Sequence, residues 1–159
     1  MESEEGKLLQ ASEQRLRLIL EFTSEGWWEW NLVTGETYYS PEWYHMLGYE
    51  VNRFPSTIEW WRDLIHPDDQ QRTFEQQQIY LRGKEPWEIE FRMRRAEGDY
   101  YWILSRGKVV DRNAEGIPLR AVGIHVNITE KKLRQQLEEE NLVKAELLRG
   151  IIRTTFLFH

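Results

Sequence analysis

Residues 87–110 read WEIEFRMRRAEGDYYWILSRGKVV, and their alternation decides the fold. Ile89, Phe91 and Met93 fall on one side of an extended chain, and Glu88, Glu90, Arg92 and Arg94 on the other. Successive side chains of a strand point to opposite faces, so Trp87–Arg95 is expected to be a strand with one face buried. Glu97-Gly98 supplies a hairpin turn. Tyr100–Val110 returns as a second strand, with Tyr101, Ile103 and Ser105 sharing a face. After a longer turn over Asp111–Gly116, a third strand, Leu119–Ile128, separates Ala121, Gly123 and His125 from Val122, Ile124 and Val126.

Working back toward the N-terminus, helices and strands alternate over shorter spans. Residues 8–23 read as a helix, with Leu9, Leu16, Ile19, Leu20 and Thr23 near one stripe and a stop at Ser24-Glu25-Gly26. WWEWNL is a strand in which Trp28, Trp30 and Leu32 share a face, and Thr34-Gly35 turns it into a second strand, Thr37–Ser40. Ser40 and Pro41 are a cap and a first helical residue for Pro41–Leu47, which ends at Gly48. A short helix holds Trp60, Trp61 and Leu64, and His66-Pro67-Asp68-Asp69 opens another that runs to Leu81 and stops at Gly83. Five strands broken by short helices, the last three a meander, predict an α+β domain on one antiparallel sheet.

Composition narrows the function. A chain of 159 residues suits one domain plus an extension. Eight Trp and a 13% aromatic share need a packed core or a partner surface, which excludes disorder. The net charge of -6, with bases scattered among acids, offers no basic patch for nucleic acid. The absence of cysteine removes disulfides, thiolate nucleophiles and Cys-ligated metals, and fits a reducing, cytoplasmic setting. No apolar run approaches the roughly 18 residues of a membrane span, and MESEEGKLLQ lacks a signal-peptide profile.

From Thr129 the character changes to EKKLRQQLEEENLVKAELLRG. Leu133, Leu137, Leu147 and Ile151 recur at coiled-coil intervals, with Glu140 and Lys144 in the intervening core positions, so the seam is imperfect. Thr129 is expected to be the N-cap, with Glu130 in the first turn. The expected organisation is a flanking helix over 1–23, a domain over 24–128 and a C-terminal helix over 129–159.

The order of these signals resembles the PAS sensor family, in the Trp-rich branch found in bacterial histidine kinases and cyclic-di-GMP enzymes. Four stretches carry the resemblance: GWWEWNLVTGETYYSPEWYHMLGY, WWRDLIHPDD, EIEFRMRRAEGDYYWILSRGKVVDRNAEG and VGIHVNITEKK, together spanning about residues 12–132. The family's closing Asp-Ile-Thr is Asn127-Ile128-Thr129 here, and its Asp-Gly hairpin is Glu97-Gly98. The resemblance implies a PAS fold: a five-stranded antiparallel sheet with short helices on one face, plus flanking helices.

It also implies which strand faces point inward: those of Met93, Ile103 and His125, leaving Val122, Ile124 and Val126 outside. In the flavin-binding branch the positions of Met93 and Ile103 hold amides, and here they are apolar; with the reactive cysteine absent, no flavin is expected. No haem is expected either, since Asp68–Leu81 contains no His to serve as axial ligand and His125 lies on a strand. The candidate ligand cavity comprises Gln77, Gln78, Met93, Ile103 and His125, the two glutamines lying between Phe74 and Leu81 on the helix's inner stripe. Its ligand is unknown, and His125 is either a hydrogen-bonded core residue or a pH-sensitive group. His66, Asp68 and Asp69 are helix-initiating residues rather than a metal site, and the charges on 88–94 are cross-strand ion pairs rather than catalytic carboxylates.

The expected function is a sensory input module without catalysis of its own, relaying ligand or partner state through a hinge at Asn127, Ile128 and Thr129 to an output domain, as a parallel homodimer. Two rivals stand beside it: a dimerisation or interaction module with a filled core, and a small-molecule enzyme, for which His125 has no evident carboxylate partner.

Overall fold

The computed structural model describes residues 3–158 apart from Ser24. The side chains at 17 and 19–23 lie outside the described residues, and with them the expected stripe positions Ile19, Leu20 and Thr23. The chain forms two compact units, one through Asn127 and one from Ile128 onward.

In the first unit, helix α1 (Glu4–Thr23) begins four residues earlier than its apolar spacing suggested. The Ser3 hydroxyl accepts from the Gly6 N–H at 3.1 Å, and Glu4 and Glu5 sit at the positive end of the helix dipole. Polar residues therefore set this start. Strands β1 (Gly26–Asn31) and β2 (Thr37–Tyr39) form the expected hairpin. In α2 (Pro41–Leu47) the Ser40 hydroxyl caps the helix by accepting from the Trp43 N–H, and Gly48 closes it at φ 79, a left-handed conformation that favours glycine. Helices α3 (Glu59–Leu64) and α4 (Pro67–Arg82) follow, then β3 (Trp87–Arg94), β4 (Tyr100–Arg112) and β5 (Pro118–Asn127). Strand β4 runs two residues beyond its expected end, through an irregularity in its pairing with β5 at Val109–Arg112. The Arg112 guanidinium then donates to the carbonyls of Leu81 and Gly83, tying down the C-terminus of α4.

The five strands form one antiparallel sheet in the order β2-β1-β5-β4-β3. One cross-strand row governs its packing: Tyr39, Trp28, Gly123, Gly107 and Trp87 stand side by side on successive strands. The rings of Trp28 and Trp87 close over the two glycines and stack, 5.6 Å between centroids and 18° between planes. A methyl group on Gly107 would meet the Trp87 ring at 2.5 Å, so the absence of a side chain there makes room for the indole.

The inner face is the expected one. Ile89, Phe91, Met93, Ile103, Ala121 and His125 are buried, with Trp43, Leu47, Trp61 and Leu64 packed among the core residues. On the opposite face Glu88 pairs with Arg106 at 3.0 Å and Glu29 with Arg120 at 2.6 Å, cross-strand pairs of the kind expected, and Val122, Ile124 and Val126 are half-buried.

Arg92 departs from that pattern. It pairs with Asp69 of α4, so Asp69 is more than a first-turn acid. His66 caps α4, its Nδ1 accepting from the Asp68 N–H at 3.1 Å. The His66 N–H donates to the Arg92 carbonyl, and the Asp69 carboxylate accepts both the Arg92 backbone N–H and its guanidinium, each at 2.9 Å. The α3–α4 junction thereby covers the open edge of β3, which would otherwise be a template for intermolecular pairing.

The second unit is a single helix, α5 (Thr129–Leu157), with no buried residue along its 29-residue length. Among the described residues no helix is long and apolar enough to cross a membrane, and no cluster of three or more His, Asp or Glu is arranged to hold a metal ion.

Candidate ligand cavity and relay segment

Helix α4 turns one stripe toward the sheet: Asp69, Thr73, Gln77 and Leu81, at four-residue spacing, all buried. Of the expected inner stripe, Gln77 and Leu81 are on this face and Phe74 and Gln78 are not. Phe74 points outward beneath the Arg62 guanidinium, 4.8 Å from the ring centroid, and Gln78 is only half-buried. The phase of the helix follows Asp69, whose bonds to the β3 edge outweigh the preference of Phe74 for the interior.

Between sheet and helices lies a cavity of about 20 Å³, lined in part by Trp28, Trp61, Gln77, Phe91, Ser105 and His125. That is room for one water molecule and little more. Of the five candidate residues, Gln77 and His125 line it. Met93 and Ile103 are fully buried but contribute to packing instead, and Gln78 lies outside. Trp28, Trp30, Trp43, Trp60 and Trp61 all belong to or pack against this core, and their rings occupy the space that a ligand would need.

His125 is the polar centre of this core. Its Nδ1 accepts from the Trp43 indole N–H at 2.8 Å, so the ring is neutral with its proton on Nε2. The contact depends on a bare backbone at Gly26, the cross-strand neighbour of His125. A Cβ at Gly26 would stand 2.6 Å from Cα of Trp43 and push α2 away. Sequence reasoning missed Trp43, whose signal was its four-residue spacing to Leu47 on one helix face. Around the imidazole stand Trp28, Trp61 and Phe91, with ring centroids 6.0, 6.5 and 5.6 Å away.

Burial pushes the His125 pKa down to about 3, which favours the neutral imidazole. The unfolded chain, with an ordinary imidazole near pKa 6.5, takes up a proton that the folded chain refuses. The stabilising contribution is complete above about pH 6.5 and declines as pH falls toward the folded value. The domain is expected to be about 2 kcal/mol less stable at pH 5 than at pH 7, with unfolding taking up about one proton per chain between those limits. Denaturant midpoints measured across that range check this, and a flat profile contradicts it. Asp69 does not confuse the reading, since its contribution is lost only below its unfolded value of 3.8.

Three indole N–H groups, those of Trp28, Trp30 and Trp61, and the Thr73 hydroxyl are buried without a hydrogen-bond partner. Such groups are scarce in folded proteins, and each calls for a reason.

The relay residues lie where strand becomes helix. Strand β5 ends at Asn127 and α5 begins at Thr129, with Ile128 between them. Thr129 is the first helical residue and Ile128 occupies the cap, where it makes no side-chain cap bond. The expected threonine cap is thus displaced by one residue: the turn closes on the Ile128 carbonyl, which accepts from the Lys132 N–H at 2.9 Å. Leu133, Leu137, Leu147 and Ile151 are all more than half exposed.

This sheet order and helical arrangement define a sensor-type α+β domain. The model of the PAS fold family matches residues 36–125. The chain belongs to the PAS family. A solved structure of a sensory box histidine kinase/response regulator from Burkholderia thailandensis is 35% identical, with a TM-score of 0.68, covering 85% of this chain and 98% of that one. The N-terminal domain of a diguanylate cyclase with PAS/PAC sensor from Marinobacter aquaeolei, 24% identical with a TM-score of 0.61, covers 68% of this chain and 98% of its own, and shares the fold. Hybrid signal transduction histidine kinase A of Dictyostelium discoideum is 36% identical over 93 residues, 52% of this chain and 4% of the kinase. The chain spans between 4% and 17% of the length of the curated relatives it matches.

Proposed function

We propose that this chain is the sensory input module of a larger signalling protein, a histidine kinase or a cyclic-di-GMP enzyme, and that it has no catalysis of its own. One observation carries the reading. The strand that holds His125 at the centre of the core continues, after a single residue, into a 29-residue helix with no buried side chain. A change in packing around His125 then has a covalent route to an element free to pair with another. One similar solved domain belongs to a sensory box histidine kinase/response regulator, and one that shares the fold belongs to a diguanylate cyclase with PAS/PAC sensor, which supports the two parent types.

The module works as a parallel homodimer through α5, in a cytoplasmic setting. Leu133, Leu137, Leu147 and Ile151 form the apolar part of the seam, and Glu140 and Lys144 keep it marginal, so that two registers stay close in energy. It binds neither flavin nor haem. Supporting this, a 20 Å³ cavity is far below the roughly 300 Å³ and upward of sites that hold such molecules. Catalysis is disfavoured because the Nδ1 of His125 is already engaged by Trp43.

The test is to fuse the chain to a kinase output and insert one to seven residues into α5 after Lys132. Activity is expected to return at seven, the coiled-coil repeat; a smooth decline with insert length counts against the relay. In sedimentation, Leu147→Glu is expected to turn the dimer into a monomer while the circular dichroism of the sheet is retained.

The same small cavity favours a second reading, an interaction module that docks partners and senses nothing within its core. A fusion whose output changes with a small molecule sinks that alternative.

A further inference from the structure

The cavity between sheet and helices is small, but its lining is partly polar. Gln77 reaches it from α4, Ser105 from β4 and His125 from β5. Ser105 and His125 are cross-strand partners on the inner face, 4% and 2% exposed, and Gln77 is 7% exposed. The Trp43 indole occupies Nδ1 of the imidazole, which leaves the Nε2–H to be satisfied. Among the described residues neither that N–H, nor the Ser105 hydroxyl, nor the Gln77 amide has a protein hydrogen-bond partner. None of the three is sealed off, as the indole nitrogens of Trp28, Trp30 and Trp61 are. On residues buried this deeply, the surface that Ser105 and His125 retain opens onto the cavity they line.

We infer that this cavity is a binding site for one water molecule, held between Ser105, His125 and Gln77. Its volume of about 20 Å³ admits a single water and excludes larger ligands. The hydrogen-bonding groups match. The water accepts from the His125 Nε2–H and donates to the Ser105 hydroxyl oxygen and the Gln77 carbonyl oxygen, the three bonds a buried water usually makes. A diatomic gas would fit the space, but it would leave all three groups unbonded in the core. Gln77 also lines the hollow between α3 and α4, so its side chain divides the water from the outside and marks where it exchanges. The water joins α4 to β5, the strand that continues into α5. That this link carries the signal rests on the input-module reading; the site itself does not.

The experiment uses water-selective NOE spectra of the isotope-labelled full chain at neutral pH. A cross-peak is expected between the His125 Nε2 proton and a long-lived water. Ser105→Ala removes one acceptor and is expected to shorten the residence of that water about tenfold. Ser105→Ala combined with Gln77→Leu is expected to abolish the cross-peak. Thr73→Val is the control, since the Thr73 hydroxyl is sealed and does not line this cavity, and it leaves the cross-peak intact. Amide spectra with the dispersion of the parent separate lost water from lost fold, and the single Ser105 variant decides the matter if the double one does not fold. The inference is overturned if the folded parent shows no such cross-peak, if xenon saturates a cavity that holds no water, or if Ser105→Ala retains the water as the parent does. A kinase fusion that switches normally without the water keeps the site and removes the link. A fusion whose α5 insertions show no seven-residue phase removes the relay and leaves the site.

Discussion

Gly123→Ala is expected to destabilise the domain by about 3 kcal/mol or more and to lower its melting temperature by about 10 °C. The reason is steric. A Cβ at this position would lie 2.1 Å from the Arg106 carbonyl oxygen and 2.5 Å from the Trp28 ring. The first of these atoms is backbone of the neighbouring strand, so it cannot yield by a rotamer change. Strands β4 and β5 must part, and the stack of Trp28 on Trp87 must open. Gly150→Ala serves as the control, since a Cβ there meets nothing within 4 Å and alanine is the better helix former. Thermal unfolding of the two variants checks the prediction. Equal melting temperatures for Gly123→Ala and the parent would mean that the glycine row does not set the spacing of the sheet.

Asp69→Ala is expected to lose about 3 kcal/mol, as removal of one partner from a buried ion pair usually does. The carboxylate is buried, and it accepts the Arg92 backbone N–H as well as two bonds from its guanidinium. Burial by itself would raise the Asp69 pKa; the Arg92 hydrogen bonds, with the charges of Arg92 and Arg72, outweigh it and hold the group below its ordinary value. Without the carboxylate, Arg92 is left with a half-buried charge, and the edge of β3 loses its cover. Asp69→Asn retains an acceptor for the backbone N–H and is expected to lose less. Urea denaturation measures both, and Asp69→Ala should also aggregate sooner on warming, because an uncovered edge strand pairs with other chains. A loss below about 1 kcal/mol would reduce the pair to a surface salt bridge.

The two predictions differ in how far the sequence foretells them. Gly123 and Gly107 are unremarkable members of alternating strands. Their role exists because registry sets them side by side beneath two tryptophans that are 59 residues apart in the chain. Asp69 is visible in the sequence as a helix-opening acid, and that reading holds locally. Its pairing with Arg92, on the face expected to be solvated, follows from where α4 crosses the end of β3.

What the sequence determined by itself is the local order: five strands, the sets of residues that share a strand face, the Ser40 and Gly48 ends of α2, the Pro67 start of α4 and the long exposed helix after residue 128. Period-two alternation, capping side chains and turn glycines act over a few residues, so they are legible without the fold. Only the tertiary structure decided the phase of α4, which turned Gln77 inward and Gln78 and Phe74 away, the contact of Trp43 with His125, and the size of the space left between sheet and helices. Those depend on how large rings share a common volume, and volume is a property of the assembled core rather than of any segment that enters it.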